Sequence, residues 1–260
     1  MPPKDWKAES MRFDAAADYY DMYRPGYPSD CISQIEKSAR LGPQSKILEV
    51  GAGSGKASEL FLNRGYNLLC IEPGPQLAEL GMKKHQSEKV SYAVTRFEHW
   101  DGPPGQFDLV FSAQAFHWVP KPAGYEKGAY ALKADGRLAL FWNMYKGQSN
   151  AVHKGYLSVC KENGLVPFQD GIEIEQRIRL ESCGIGDSGY FEQPDVYCYP
   201  WSKEYDTESF IGFIKTGNGF LGLPESEQIR LIKELTRILD KNGGRITMEY
   251  LCVLFLAAKK

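Results

Sequence analysis

The sequence predicts an α/β fold in which helices cover both faces of a mostly parallel sheet. Two observations support this prediction. Short apolar, β-rich runs alternate with helical stretches over 45–143, and the first run ends at the glycine-rich turn E-V-G-A-G-S-G over 49–55. Parallel strands need crossover connections of this kind, and ligands of such folds bind at the carboxyl ends of the strands, where the turn lies.

The elements of this core follow one another at short intervals. Five runs have the apolar and β-branched composition of strands, and 56–64 predicts a helix that begins near Gly55. The predicted strands are 46–50, 67–72, 90–94, 107–112 and 137–143.

The segments around the core are predicted from helical patterns and breakers. Before it, a helical pattern over 11–40 is broken at 23–28, where Pro25 and Pro28 force extended or turn geometry on their neighbours. After it, 145–192 is polar and interrupted by glycines, which predicts inserted helices and loops. The remaining predicted elements are a strand at 196–201, helices at 207–216 and 224–242, and a strand at 245–256 after Gly243-Gly244.

Composition indicates an ordinary globular protein. The 260 residues are 43% apolar and 25% charged, which allows a single large domain, and the net charge of −2 without a basic block excludes an electrostatic footprint for nucleic acid. The cysteines form no C-x-x-C pair, so neither a disulfide nor a zinc framework is expected. Charges at the amino terminus and the short apolar stretch at 250–258 argue against a signal peptide and a membrane span, which favours a cytoplasmic location. The sequence does not indicate an oligomeric state.

The glycine turn favours one class of nucleotide-like ligand. Gly51, Gly53 and Gly55 are spaced G-x-G-x-G, whereas dinucleotide-binding proteins have G-x-G-x-x-G. Glu49 would repel a pyrophosphate but attract the ammonium group of S-adenosylmethionine (SAM). SAM is therefore favoured over NAD, and a turn that binds nothing is the structural alternative.

Glu72 ends the second predicted strand about 20 residues beyond the turn, where an acid can accept hydrogen bonds from both ribose hydroxyls. NAD enzymes use an acid at this offset too, and a solvated charge at a strand end is the simpler alternative. The rigid turn Pro73-Gly74-Pro75 is expected to form a wall beside the ribose or adenine.

Several motifs in order now define a family resemblance. They are Phe13-Asp14 with Tyr19-Tyr20, the turn 49–55, Glu72-Pro73, Phe97-Glu98, F-D-L-V over 107–110 and S-A-Q-A-F-H-W over 112–118. With them the chain resembles the class I SAM-dependent methyltransferases, in the small-molecule branch that includes trans-aconitate and quinone-biosynthesis methyltransferases. The resemblance covers 13–143 well and the last sixty residues more loosely.

The resemblance implies a Rossmann-like, seven-stranded sheet of order 3-2-1-4-5-7-6 with the last strand antiparallel. It also implies an enzyme that transfers a methyl group from SAM to a small-molecule acceptor and needs no metal. One domain would span 1–260, with a helical lid (1–44), a SAM-binding core (45–143), a cap over the acceptor (144–194) and the C-terminal part of the sheet (195–260). A SAM-binding protein without activity and an NAD-dependent oxidoreductase are the alternatives.

The resemblance also implies site residues. Those expected to contact SAM are Phe13, Tyr20, Glu49, Gly51, Ala52, Gly53, Gly55, Glu72, Pro73, Arg96, Phe97, Glu98, Ala113 and Gln114. Many relatives have an aspartate where this chain has Arg96, so adenine recognition is assigned to Phe97, with Arg96 or Glu98 nearby. Phe97 as a plain core residue is the alternative.

The acceptor is expected near the fourth strand and the N-terminal segment, in contact with Tyr23, Arg24, His117 and Trp118. Gln114 and His117 are the catalytic candidates, the latter as a general base, and packing of His117 against Trp118 is the alternative. Arg24 could bind an acceptor carboxylate or be a surface charge at a helix end. Likewise, Tyr19 and Tyr23 either belong to a lid or simply pack on one helix face.

Overall fold

The computed structural model describes residues 11–146, 151–163 and 173–260. Within them, seven strands form one sheet of order β3-β2-β1-β4-β5-β7-β6, which confirms the predicted order. The strands are β1 (Lys46–Val50), β2 (Asn67–Glu72), β3 (Val90–Val94), β4 (Phe107–Ala113), β5 (Leu132–Lys146), β6 (Asp195–Asp206) and β7 (Arg245–Ala258).

Helices connect these strands and surround the sheet. The α-helices are α1 (Ala17–Tyr23), α2 (Ser29–Ser38), α3 (Ser58–Leu62), α4 (Pro75–Lys84), α5 (Ala123–Ala131), α6 (Ala151–Glu162), α7 (Ile174–Gly186), α8 (Thr207–Lys215), α9 (Asn218–Leu221) and α10 (Glu225–Lys241). Short 3₁₀ helices at Asp14–Ala16, Phe97–His99 and Phe116–Trp118 follow or precede the core strands. Among the described residues, no helix is long and apolar enough to cross a membrane.

The strand directions place the carboxyl ends of the central strands at one edge. β1 pairs in parallel with β2 and β4, in a register that sets Val50 beside Ile71 and Glu49 beside Phe111. β7 runs antiparallel to both of its neighbours, β5 and β6, as predicted for the last strand. The glycine turn, the end of β2 and the end of β4 therefore meet at the same edge.

The core lies on both faces of the sheet. Along β5, Leu140 and Trp142 belong to one buried cluster, whereas Phe141 belongs to the cluster on the opposite face. Side chains of a strand alternate between faces, so a strand that is apolar at every position needs cover on both sides. A third cluster joins α6, α8 and α10 above the end of the sheet.

The helix predicted to begin near Gly55 begins three residues later, at Ser58. Gly51, Gly53 and Gly55 have φ angles of 71°, 56° and 81°, and this left-handed backbone cannot continue into a right-handed helix. α3 is also a single short helix of five residues.

The strands predicted at 137–143 and 196–201 are right in type but too short. β5 continues past the predicted end at 143 because Met144 and Tyr145 pair with Leu251 and Tyr250 of β7. The cap predicted at 144–194 therefore begins only after this strand and includes α6 and α7. Parts of the predicted lid and cap, at 1–10, 147–150 and 164–172, lie outside the described residues.

Candidate active site

A cavity of about 380 Å³ opens at the carboxyl edge of the sheet. Its walls come from the turn after β1, the end of β2, the 3₁₀ helices at 97–99 and 116–118, and helices of the cap and C-terminal part. The sequence-predicted residues that line it are Phe13, Tyr20, Arg24, Gly51, Gly53, Glu72, Pro73, Arg96, Phe97, Glu98, Gln114, His117 and Trp118. The structure thus brings together residues from five separate segments.

A second, smaller cavity of about 30 Å³ shares Tyr20, Arg24, Gly51 and Gln114 with the first one. The sequence-predicted residues that line only this smaller cavity are Glu49, Ala52 and Ala113.

Gly55 and Tyr23 line neither cavity. The carbonyl oxygen of Gly55 lies 3.1 Å from Nε2 of His85. The Tyr23 ring stacks on Tyr19 and lies directly over Gly212 of α8. Tyr23 therefore packs against a helix rather than facing the space predicted for the acceptor.

Glu72 is fixed by the backbone of the two turns beside it. Its carboxylate oxygens accept hydrogen bonds from the N–H groups of Gly53 and Gly74, each at 2.8 Å. Each carboxylate oxygen has two lone pairs, so both can accept a second hydrogen bond. Burial raises the pKa of Glu72 to about 7, although the two N–H groups oppose this shift. The site thus offers two acceptor positions of the kind that a pair of ribose hydroxyls needs.

Glu49 is a buried acid without a neighbouring cation among its described contacts. It is 1% exposed, accepts a hydrogen bond from the Ser58 hydroxyl, and faces the small cavity. Burial, with a contribution from the charge of Glu72, raises its pKa to about 8. A buried carboxylate gains stability from a cationic ligand, so Glu49 fits an ammonium group and disfavours a pyrophosphate.

The glycines let the chain pass close to the cavity. A Cβ atom on Gly51 would overlap that of Ala115, and the left-handed φ of Gly53 excludes a branched side chain at the position whose N–H holds Glu72. Together with Glu49 and Glu72, this backbone fits an amino acid and a nucleoside joined in one ligand, as in SAM.

On the side predicted for adenine, Phe97 is 3% exposed and stacks on Trp100, with ring centroids 6.4 Å apart. The ring belongs to a core cluster and only part of it reaches the cavity wall. The structure thus agrees with Phe97 as a core residue. Arg96 and Glu98, on either side of it, line the cavity.

His117 is held in one tautomer by its neighbour on β5. Its Nδ1 accepts a hydrogen bond from Nε1–H of Trp142 at 3.2 Å, so the proton of the neutral ring is on Nε2. The residue is solvent-accessible and lines the cavity. Desolvation of the ring by the surrounding protein, with the charges of Arg177, Lys121 and Arg24, lowers the pKa of His117 to about 4.

This arrangement changes the role expected of His117. A general base needs a free lone pair, but the Nδ1 lone pair is used and Nε2 carries a hydrogen. His117 is therefore placed to donate a hydrogen bond into the cavity, and the prediction of a general base is not supported. Gln114 is also restrained, because its Oε1 accepts from the N–H of Asn143 at 2.7 Å.

The N-terminal segment is attached to the cofactor side of the cavity by two carboxylates. Asp14 accepts a hydrogen bond from the Leu77 N–H at the start of α4 at 2.8 Å, and Asp21 accepts one from the Ser54 hydroxyl at 2.7 Å. Asp21 also pairs with Lys84 at 3.1 Å. The segment thus forms one wall of the site in this structure.

The sequence did not indicate several cavity residues. They come from β5, the cap helices and the C-terminal helices, and include Trp142, Tyr156, Cys160, Arg177, Ile214 and Phe220. No local motif marks them, since they reach the cavity only through the packing of α6, α7, α8 and α9 on the sheet edge.

Several known proteins that resemble this chain in sequence or in fold are methyltransferases, in agreement with the sheet and with the glycine turn described above. Residues 48–140 match the family model described as a methyltransferase domain. An uncharacterized methyltransferase of Mycobacterium tuberculosis is 27% identical over 171 residues, which are 66% of this chain and 65% of that protein. The chain thus spans 65% of the length of this relative.

A candidate methyltransferase of Dictyostelium discoideum is 28% identical over 263 residues, covering 96% of this chain and 95% of its own. The fold is shared with a candidate type II methyltransferase from Anaeromyxobacter dehalogenans at a TM-score of 0.66 and 17% identity, over 91% of this chain and 97% of the other. The strand order, the matched domain and these relatives thus make the chain similar to methyltransferases in fold and in the sequence of its central strands.

Proposed function

We propose that the protein is an enzyme that methylates a small-molecule acceptor in the cavity at the carboxyl edge of the sheet. The observation that carries the proposal is the pair of buried carboxylates, Glu49 and Glu72, on either side of the glycine turn. One suits the ammonium group and the other the ribose of SAM. Neither suits a pyrophosphate, which is why the NAD-dependent alternative is disfavoured.

When bound, SAM supplies a sulfonium methyl group, which an acceptor atom takes by in-line displacement while the S–C electron pair leaves with sulfur. The residues of the chain bind, orient and exclude water. Glu49, Glu72 and the backbone of Gly51 and Gly53 hold the cofactor, and Phe13 packs edge-on against Trp118 with ring centroids 5.9 Å apart, closing one side of the cavity. Alignment of reactants accounts for much of the rate enhancement in such a reaction.

An acceptor space distinguishes an enzyme from a protein that only binds SAM. Beyond the cofactor residues, the cavity is lined by Tyr156, Arg177 and Ile214. Lining of mixed apolar and polar character is typical of small-molecule sites. The proposal of a small acceptor rests on this part of the wall.

Calorimetry with SAM, S-adenosylhomocysteine and NAD tests the cofactor. We expect micromolar dissociation constants for the first two, equivalent to about 8 kcal/mol, and no binding of NAD. Turnover is tested by the formation of S-adenosylhomocysteine with a metabolite mixture. Binding of SAM without turnover in any mixture would favour the non-catalytic alternative, and binding of NAD alone would contradict both.

We further propose that the described part of the N-terminal segment acts as a lid, since Asp14 and Asp21 attach it to the cofactor side. Amide exchange in α1 should slow when S-adenosylhomocysteine binds, because a closed lid gains contacts. Equal protection of α1 and β1, with and without ligand, would show a fixed wall instead. The single domain with its four parts and the cytoplasmic location stay predictions.

A further inference from the structure

The charged residues of the cavity fall into two groups. Among the described residues that line it, the acids are Glu72, the last residue of β2, and Glu98, in the 3₁₀ helix after β3, on the side assigned to the ribose and adenine. Three arginines also line the cavity. Arg96 lies between the two acids in the chain, whereas Arg24 and Arg177 come from the N-terminal segment and the cap helix α7.

Arg24 is a half-buried cation with spare hydrogen-bonding capacity. Its Nη2 donates to the carbonyl oxygen of Thr216 at 2.7 Å, and its guanidinium lies over the rings of Phe13, Tyr20 and Phe213. Its Nε is buried and has no hydrogen-bond partner among the described residues. No carboxylate in the described part of the chain lies within ion-pair distance of it. A buried donor without a partner is costly unless a ligand completes it.

Arg177 is the second such cation. It is half-buried, and burial lowers its pKa. Glu181, one turn further along α7, is paired with Lys121 at 3.1 Å. The charge of Glu181 also acts on Arg177, but no described carboxylate forms an ion pair with Arg177, which lines the cavity.

His117 lines the same cavity as the two arginines. Their charges, with that of Lys121, act on its ring, in agreement with this common location. The hydrogen bond from Trp142 turns the Nε2–H of His117 into a fixed donor. A neutral or cationic acceptor would leave two arginines unpaired in this space, whereas an anionic group would satisfy them.

We propose that the acceptor carries an anionic group, a carboxylate or a phosphate, that binds to Arg24, Arg177 and the Nε2–H of His117. This inference rests on the proposed methyltransferase function and names the substrate class. It also agrees with the absence of a general base at His117. The arginines would position the acceptor through its anionic group, and the protein would align the acceptor atom that takes the methyl group with SAM.

The first experiment separates a metabolite extract by charge. Anion-exchange chromatography gives an anionic fraction and a flow-through of neutral and cationic compounds, and each is incubated with the protein and methyl-labelled SAM. We expect labelled product from the anionic fraction alone. Product from the flow-through alone would overturn the proposal. Absence of S-adenosylhomocysteine binding by calorimetry would instead refute the proposed function itself.

Chemical treatment of the active fraction identifies the anion. Phosphatase treatment should abolish methylation of a phosphate-bearing acceptor, and carbodiimide coupling to methylamine should abolish methylation of a carboxylate-bearing one. Loss of activity by one treatment supports the proposal and assigns the group. Survival of activity through both treatments would overturn it.

Variants of α7 then test the site itself. Arg177→Gln should raise the KM for the purified acceptor by at least about tenfold and leave the dissociation constant of S-adenosylhomocysteine within about twofold. Arg179→Gln, two residues along the same helix and exposed, is the matched control and should change neither value. Arg177→Lys should recover part of the affinity.

A direct binding measurement makes the test independent of turnover. Calorimetric titration of the purified acceptor into protein saturated with S-adenosylhomocysteine should show the same loss in Arg177→Gln. Raising the ionic strength should weaken acceptor binding in the wild type more than in this variant. Equal affinity and equal salt dependence in the two proteins would show that Arg177 does not bind the anion.

Discussion

Glu72 combines two tasks at the scale of a single residue: it fixes two turns and it offers lone pairs to a ligand. Its removal by Glu72→Ala would leave the buried N–H groups of Gly53 and Gly74 without an acceptor, which costs stability as well as affinity. Glu72→Gln keeps the size of the side chain but has one carbonyl oxygen in place of two carboxylate oxygens. Glu72→Gln thus leaves one of the two N–H groups without an acceptor and Glu72→Ala leaves both, so Glu72→Ala should cost more stability.

Glu72→Gln should weaken SAM binding by roughly 1.5–3 kcal/mol, because hydrogen bonds to a charged acceptor are about twice as strong as neutral ones. Calorimetry measures the loss, and circular dichroism checks the fold. Glu72→Ala should show the same loss of affinity and, in addition, a lower midpoint of denaturant unfolding. Wild-type affinity in a folded Glu72→Gln protein would place the cofactor elsewhere.

The pKa of His117 reports on the cations around it. In the free protein, His117 should titrate near pH 4, because desolvation of the ring by the surrounding protein and the charge of Arg177 disfavour the imidazolium. Arg177→Gln removes that charge and should raise the pKa, whereas Arg179→Gln should not. Nuclear magnetic resonance can follow the ring signals, with His117→Gln to assign them. An unchanged pKa of His117 in Arg177→Gln would show that the two side chains do not lie close together.

At the scale of elements, α1 depends on a glycine in its neighbour. The ring of Tyr23 occupies the space where a Cβ atom of Gly212 would stand, so α1 and α8 approach each other closely at this point. A similar contact occurs at Gly74, where Asp14 takes up that space. The N-terminal segment is therefore positioned by two glycines in elements far from it in sequence.

Gly212→Ala should destabilise the protein by about 1–3 kcal/mol, since the added methyl group overlaps the Tyr23 ring. Alanine is otherwise the better helix former by about 1 kcal/mol, so any measured loss understates the overlap. Urea unfolding gives the free energy, and amide exchange should rise in α1. Gly42→Ala is the control, because nothing lies within 4 Å of its Cβ position. Equal stability of both variants would contradict tight packing of α1.

Elements of the core could be predicted because their signals are local. Each of the first four strands is a short apolar run, whereas the order of the sheet was implied by the family resemblance and not by these runs. The start of α3 could not be placed, because the sequence shows the glycines of the turn but not their left-handed φ angles. The extension of β5 beyond residue 143 was hidden because Met144, Tyr145 and Lys146 pair with β7, more than one hundred residues away.

The acceptor side of the site was less predictable for the same physical reason. Arg177 lies in a polar stretch without a motif, and it reaches the cavity only through the packing of α7. The donor that fixes the His117 tautomer is Trp142, on the neighbouring strand and 25 residues further along the chain. Sequence marks the cofactor residues, which are consecutive at strand ends, but not the acceptor residues, which meet only in the folded chain.

For the molecule as a whole, the two buried carboxylates make stability depend on pH. Their pKa values of about 8 and 7 lie above the ordinary value of 4.5, because burial disfavours the charged form. Between the ordinary pKa of 4.5 and the raised values of about 7 and 8, the folded state therefore binds more protons than the unfolded state. The free energy of unfolding then decreases as the pH rises. The stability that the neutral carboxyls contribute is complete below about pH 4.5 and is lost as the pH rises through 7 and 8.

The free protein should thus unfold at a lower temperature at pH 8.5 than at pH 6.5, a range that avoids the titration of His117. Glu49→Gln, which cannot ionise, should show a smaller decrease, and the exposed Glu88→Gln should behave like the wild type. Saturating SAM should reduce the decrease, because its ammonium group stabilises the ionised Glu49 and ligand at about 100 times Kd adds about 2.7 kcal/mol. Calorimetric scans at the two pH values measure the effect. If the wild type and Glu49→Gln lost the same stability between them, the ionisation of Glu49 would not be what opposes folding.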